Sequence, residues 1–157
     1  MGGIKGGFVR SQYVVLLGVF IAMLTSGLAH AYCWQEAGSK YNISPILLYA
    51  IAKHESGLRA NLISPLNSDG TYDIGLMQIN SRHLPVLAKY GITEKNLLNG
   101  CTSVHVAAWL LADNFKRMGH TWNAVGAYNA STASRRTNYA WTIHNMIYGA
   151  NKIKEEK

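Results

Sequence analysis

Ser44-Pro45-Ile46-Leu47-Leu48-Tyr49-Ala50-Ile51-Ala52-Lys53-His54-Glu55-Ser56-Gly57 carries the signals for both ends of a helix and one residue that does not suit its middle. Serine as N-cap with proline at the first helical position opens a helix, and glycine closes one, so the spacing predicts a helix over 45–56. Leu48, Ile51, Glu55 and Leu58 recur at helical spacing, which puts Glu55 in the apolar stripe. Burial disfavours an ionised carboxyl, and the partial negative charge of a helix C-terminus acts in the same direction, so both push its pKa upward. A carboxylic acid kept protonated near neutral pH can hand a proton to a departing oxygen, as cleavage of a glycosidic bond requires. A snorkelling or salt-bridged surface glutamate fits the same spacing, and the neighbouring sequence has to decide.

Downstream, residues 61–79 lose helical periodicity and fill with Asn, Ser, Asp, Gly and Pro, which predicts a loop with a short hairpin around Asn67-Ser68-Asp69-Gly70. Helical signals then resume. Short helices are expected over 81–90 and 93–98, a long one capped by Thr102 and running to about Met118, and two more over 122–129 and 136–148; residues 33–41 form a short helix upstream. The run from Val104 to Phe115 is apolar on nearly all sides and reads as the central buried helix. Trp122, Tyr128, Tyr139, Trp141 and Tyr148 are expected mostly in the core. The fold class is α+β, mainly α, with one irregular insertion.

A chain of 157 residues, 48% hydrophobic and 15% charged, has the composition of one globular domain and excludes disorder. Lys5 and Arg10 precede an apolar run over 13–24, and Ala29-His30-Ala31 supplies a small-x-small cleavage site. Residues 1–31 therefore read as a cleavable signal peptide and 32–157 as the mature domain. The alternative, an uncleaved anchor, is disfavoured because a span needs roughly 20 apolar residues. No other segment could cross a bilayer, so the expected location is the periplasm, with no stable membrane anchor. Cys33 and Cys101 are the only cysteines, and an even count in an exported chain favours one disulfide over two buried thiols. The net charge of +7 would draw the protein weakly to anionic polymers, while export argues against nucleic acid as a partner.

Three ordered motifs then settle the reading of Glu55. Lys53-His54-Glu55-Ser56, Gly75-Leu76-Met77-Gln78-Ile79-Asn80 and Ala127-Tyr128-Asn129 resemble those of family 1 lytic transglycosylases, most of all the small exported enzymes that accompany type III and type IV secretion and pilus systems. The resemblance covers essentially the whole mature chain, including both cysteine positions, and implies a lysozyme-like fold. It implies that Glu55 is the catalytic acid and base and that Ser56 steadies the site. Gly75, Met77, Gln78, Asn80 and Ala127 would line or contact the sugar, and Tyr128 and Asn129 would hold the acid in place. The implied reaction cleaves the MurNAc to GlcNAc β-1,4 bond of peptidoglycan without water and leaves a 1,6-anhydro end. No metal or cofactor is implied.

Asn67-Ser68-Asp69-Gly70-Thr71-Tyr72-Asp73-Ile74-Gly75 is also similar to the active-site hairpin of animal c-type lysozymes, where Asp73 matches a second carboxylate. That family pairs a raised-pKa acid with an ionised aspartate in a polar setting. The alternative for Asp73 is an anchor for the loop through backbone N–H groups. Two rival functions follow: a hydrolytic muramidase using Glu55 and Asp73, and a non-catalytic wall-binding adaptor of a secretion system. A zinc-protease helix is excluded because Leu58 stands where the second histidine would be, and the remaining histidines lack paired ligand spacing. Asn67, Asp69, Thr71 and Asp73 alternate as in a calcium loop, but the closing glutamate is missing.

Overall fold

The computed structural model describes residues 33–155, with side chains to residue 149; the signal expected over 1–31 lies outside them. Helix α1 (Trp34–Tyr41) ends at Asn42, whose left-handed backbone (φ 54°) turns its N–H back onto the Gly38 carbonyl. Helix α2 (Pro45–Ser56) starts and stops where Pro45 and Gly57 predict, with Gly57 at φ 61°. Ser44 caps it by position only, since its hydroxyl makes no capping bond.

The insertion after α2 carries the expected hairpin around 67–70 and a second, not foreseen, just beyond it. Strands β1 (Asp73–Ile74) and β2 (Ile79–Asn80) pair antiparallel, Asp73 opposite Asn80 and Ile74 opposite Ile79, so the hairpin turn lies at residues 75–78. Residues 67–70 make the expected turn, Gly70 N–H to Asn67 carbonyl, and the chain on its two sides pairs antiparallel: Asn67 N–H to the Thr71 carbonyl, Ser64 N–H to the Asp73 carbonyl, and a bridge of Ile63 with Ile74. Asn67, Asp69 and Thr71 bond one another's side chains around the first turn, and left-handed backbone serves both turns, at Gly70 (φ 78°) in the first and at Gly75 (φ 76°) and Gln78 (φ 47°) in the second.

A single 3₁₀ turn (Ser81–His83) leads into α3 (Leu84–Ala88), and Thr93 opens α4 (Glu94–Leu97) with a reciprocal capping box. Helix α5 (Gly100–Met118) starts earlier than expected, because Asn99 and not Thr102 is its N-cap: the Asn99 side chain accepts the Thr102 N–H. Helix α6 (Trp122–Gly126) is shorter, and α7 (Ala133–Glu155) longer at both ends, than the sequence suggests. The intervening loop is held by Arg136, whose guanidinium donates to the carbonyls of Ala130 and Ser131.

Helix α5 is the hub. It buries Val104, Val106, Ala107, Ala108 and Leu111 and packs against α1, α2, α4, α6 and β2. Cys33 and Cys101 form the disulfide, joining the start of α1 to the first turn of α5 across 68 positions of sequence. A loop of that length restricts the unfolded chain by about 4 kcal/mol in the chain-entropy model. Among the described residues no helix is long and apolar enough to cross a membrane.

The aromatic residues of the last two helices divide in a way the sequence does not show. Tyr139 is buried and Tyr128 half-buried, but Trp122, Trp141 and Tyr148 are 37%, 58% and 53% exposed and surround His144 with ring centroids at 4.8–5.2 Å. The expectation that these five lie mostly in the core is corrected, since three of them are exposed. Helix α7 carries two stripes at helical spacing: Tyr139, Ala140, Ile143 and Ile147 face the body, while Trp141, His144 and Tyr148 face out.

Gly75 is fixed by space as well as by φ, since a Cβ there would lie 2.1 Å from the Leu97 carbonyl oxygen. Gly75→Ala is expected to lower unfolding free energy by at least about 2 kcal/mol in urea titration, with the hairpin turn displaced from α4.

Candidate active site

The acid is built from the end of α2 outward. Ser56, next to Glu55, is 1% exposed; its hydroxyl donates to the Leu76 carbonyl at 2.7 Å and accepts the Arg59 N–H at 3.1 Å. One side chain thus ties the helix end to the hairpin turn. The same turn is held from two further sides. Ser103 on α5 accepts the Met77 N–H at 3.1 Å, and the Tyr128 hydroxyl donates to the Met77 carbonyl at 2.7 Å. Gln78 closes the turn internally by donating from Nε2 to the Gly75 and Leu62 carbonyls.

Glu55 is half-buried at the wall of a cleft of about 940 Å³. The Tyr139 hydroxyl donates to its Oε1 at 2.5 Å, and the ring of Tyr139 is held edge-on by His54 at 5.3 Å. Burial pushes the Glu55 carboxyl up to about 7; the Tyr139 hydrogen bond opposes that rise by favouring the anion, and the negative charge of Asp73 adds to it. Burial and the nearby carboxylates hold the phenols of Tyr128 and Tyr139 well above their ordinary value, so both stay hydrogen-bond donors.

Asp73 faces the same cleft from β1. Its carboxylate accepts from two side-chain amides, Asn80 Nδ2 at 2.8 Å and Asn67 Nδ2 at 3.2 Å. Neither is the backbone N–H that a loop anchor would use. That anchoring task belongs to Asp69, which accepts the Thr71 N–H and hydroxyl and pairs with Arg82 at 3.0 Å. Asn80 does more than line the cleft, since its Oδ1 accepts from Arg82 while its amide orients Asp73.

Several residues sit elsewhere than the resemblance implies. Met77 is fully buried and offers the site only its backbone, and Gly75 is buried too; neither lines the cleft, whereas Gln78, Asn80 and Ala127 do. Tyr128 lines the cleft but bonds Met77, and Asn129 is exposed on the cleft with no side-chain bond to Glu55. The hydroxyl that meets the acid is that of Tyr139, 84 positions away. Its place in an apolar stripe gave the sequence no sign of that contact. Among the described residues, Cys33, Glu36 and His105 come within ligand reach of one another, but the Cys33 sulfur is in the disulfide and none of the three lines the cleft.

One carboxyl of raised pKa, one carboxylate in a polar setting and an open cleft lined by polar side chains suit the breaking of a polysaccharide. The transglycosylase SLT domain matches residues 32–145. The chain belongs to the SLT transglycosylase family. It is 47% identical to invasion protein IagB of Salmonella typhimurium (strain SL1344) over 147 residues, 88% of this chain and 91% of that protein. Protein IpgF of Shigella flexneri is 42% identical over 127 residues, 80% of each chain. A peptidoglycan-binding-like protein of Escherichia coli O157:H7 is 35% identical over 163 residues, 95% of this chain and 98% of the other. This SLT chain is a peptidoglycan lytic transglycosylase with the lysozyme-like α+β fold of its family.

The acid must be protonated to act, so the transglycosylase's activity is expected to fall as pH rises through about 7. In Tyr139→Phe the bond that favours the carboxylate is gone, so the falling limb moves to higher pH while kcat drops about tenfold as the carboxyl loses its orientation. A pH–rate profile of sugar release from purified walls reads both; a limb that moves to lower pH would contradict the role of this hydroxyl.

Proposed function

We propose that this enzyme cleaves the MurNAc to GlcNAc β-1,4 bond with Glu55 as acid and then base, leaving a 1,6-anhydro end, and that it opens the wall locally for a secretion or pilus apparatus. The observation that carries the reading is a carboxyl held neutral up to about 7 on the wall of a cleft, with a single tyrosine hydroxyl fixing its direction. Protonated Glu55 gives its proton to the leaving oxygen as the bond breaks. The substrate's own N-acetyl group stabilises C1 from the other face. The Glu55 carboxylate then takes the proton of the sugar's C6 hydroxyl, which attacks C1, so the carboxyl ends as it began and no water is consumed. Ser56 and Tyr128 keep the turn that carries Gln78 in register with Glu55, and Gln78, Asn80, Ala127 and Asn129 meet the sugar. The chemistry uses no metal or cofactor.

A periplasmic location is supported by the charged, then apolar start of the sequence and by a disulfide, which persists in oxidising compartments. The secretion assignment is supported by the similarity to the invasion protein IagB and to IpgF.

Asp73 favours a second reading. Two amides hold its carboxylate in the cleft that Glu55 also lines, the polar setting in which an aspartate stabilises or attacks C1 and water completes hydrolysis. Mass spectrometry of a purified-enzyme digest separates the two, since an anhydro product is lighter by one water. Glu55→Gln is expected to abolish turnover while sugar binding persists; undiminished lysis by that variant would defeat the catalytic assignment of Glu55. Asp73→Asn is expected to lower kcat about a hundredfold if its charge faces C1, whereas full activity reduces it to a hairpin brace.

A further inference from the structure

Four guanidinium groups of the described residues line the cleft, those of Arg82, Arg117, Arg135 and Arg136, and three of them are already engaged. Arg82 pairs with Asp69 at 3.0 Å and donates from Nε to Asn80 at 2.8 Å. Arg117 pairs with Asp113 at 2.9 Å and also donates to Asn114. Arg136 holds the Ala130 and Ser131 carbonyls, and it is fixed from behind because Gly126 packs so closely that a Cβ there would lie 2.3 Å from the Arg136 carbonyl oxygen. Arg135 makes no hydrogen bond or ion pair among the described residues and is exposed on the cleft wall. The clamp on Arg136 nevertheless fixes the backbone from which Arg135 projects, in the first turn of α7.

An uncompensated, positioned guanidinium in a substrate cleft is a receptor for a carboxylate, which it can grip with two parallel N–H bonds. Resting on the proposed glycan substrate, the chemistry of that polymer supplies one. Alternate sugars carry a lactyl ether at O3 that ends in a carboxyl group, free or joined to a peptide bearing carboxylates of its own. A polymer of N-acetylglucosamine alone has neither.

We propose that Arg135 is a specificity-determining residue that reads a carboxylate on the O3 substituent of the bound strand and so selects wall glycan over neutral N-acetylglucosamine chains.

The test uses binding in the inactive Glu55→Gln protein, so that it does not depend on turnover. Calorimetry compares three hexasaccharides: a peptide-bearing wall strand, the same strand stripped of peptide, and chitohexaose. Adding Arg135→Gln is expected to weaken the carboxylate-bearing strands about tenfold and chitohexaose less than twofold, with part of the loss recovered in Arg135→Lys and most of the difference erased at high salt. Loss confined to the peptide-bearing strand assigns the carboxylate to the peptide; loss on the stripped strand assigns it to the lactyl group. Equal loss on chitohexaose, or no loss on either wall strand, overturns the proposal. Failure of the function itself is read separately, as wall lysis that survives Glu55→Gln.

Discussion

Burial of one carboxyl at the end of α2 is the constraint around which the rest of the domain is arranged. Without a counterweight, desolvation would raise Glu55 further, favouring the form that gives a proton over the form that takes one back. The Tyr139 hydroxyl limits that drift by stabilising the anion, and the opposing effects leave the group near 7. A group poised there can serve both halves of a reaction that needs an acid first and a base afterwards. The helix supplies the place, the last helix supplies the counterweight, and neither element alone produces the chemistry.

The hairpin turn converts that tuned group into a site. Ser56 from α2, Ser103 from α5 and Tyr128 from the loop after α6 each bond the backbone of residues 76–77, so three separate parts of the chain agree on where the turn lies. Leu76 and Met77 fill the core beneath it, and Gly75 lets it approach α4. Residues that look like sugar contacts in the linear motif therefore act as a footing, while Gln78 and Asn80, one step further along, reach the cleft. The amides of Asn67 and Asn80 do for Asp73 what the apolar surroundings do for Glu55 in reverse, offering hydrogen bonds to a charge instead of withholding solvent from it.

Local signals were the legible part of the sequence. Pro45 and Gly57 mark α2, Thr93 opens α4, and the apolar density of 104–115 identifies the hub helix, because each depends on neighbours within a turn or two. The acid was legible for the same reason, as a carboxyl in a stripe. What stayed hidden depends on distant partners. Asn99 displaces Thr102 as a cap through one side-chain contact. The second hairpin turn, at 75–78, stayed hidden because it depends on Gly75 fitting under Leu97, far along the chain. The two faces of α7 obey the same period, so spacing could not tell Tyr139, which holds the acid, from Trp141, which meets solvent.

Because the hydroxyl that orients Glu55 lies 84 positions beyond it, the order in which the chain is made matters. A ribosome delivers α2, both turns of the insertion and the hub helix before α7, so a growing chain holds the acid before it holds the hydroxyl that orients it. The site's geometry is thus finished last, by the docking of the C-terminal helix against α2.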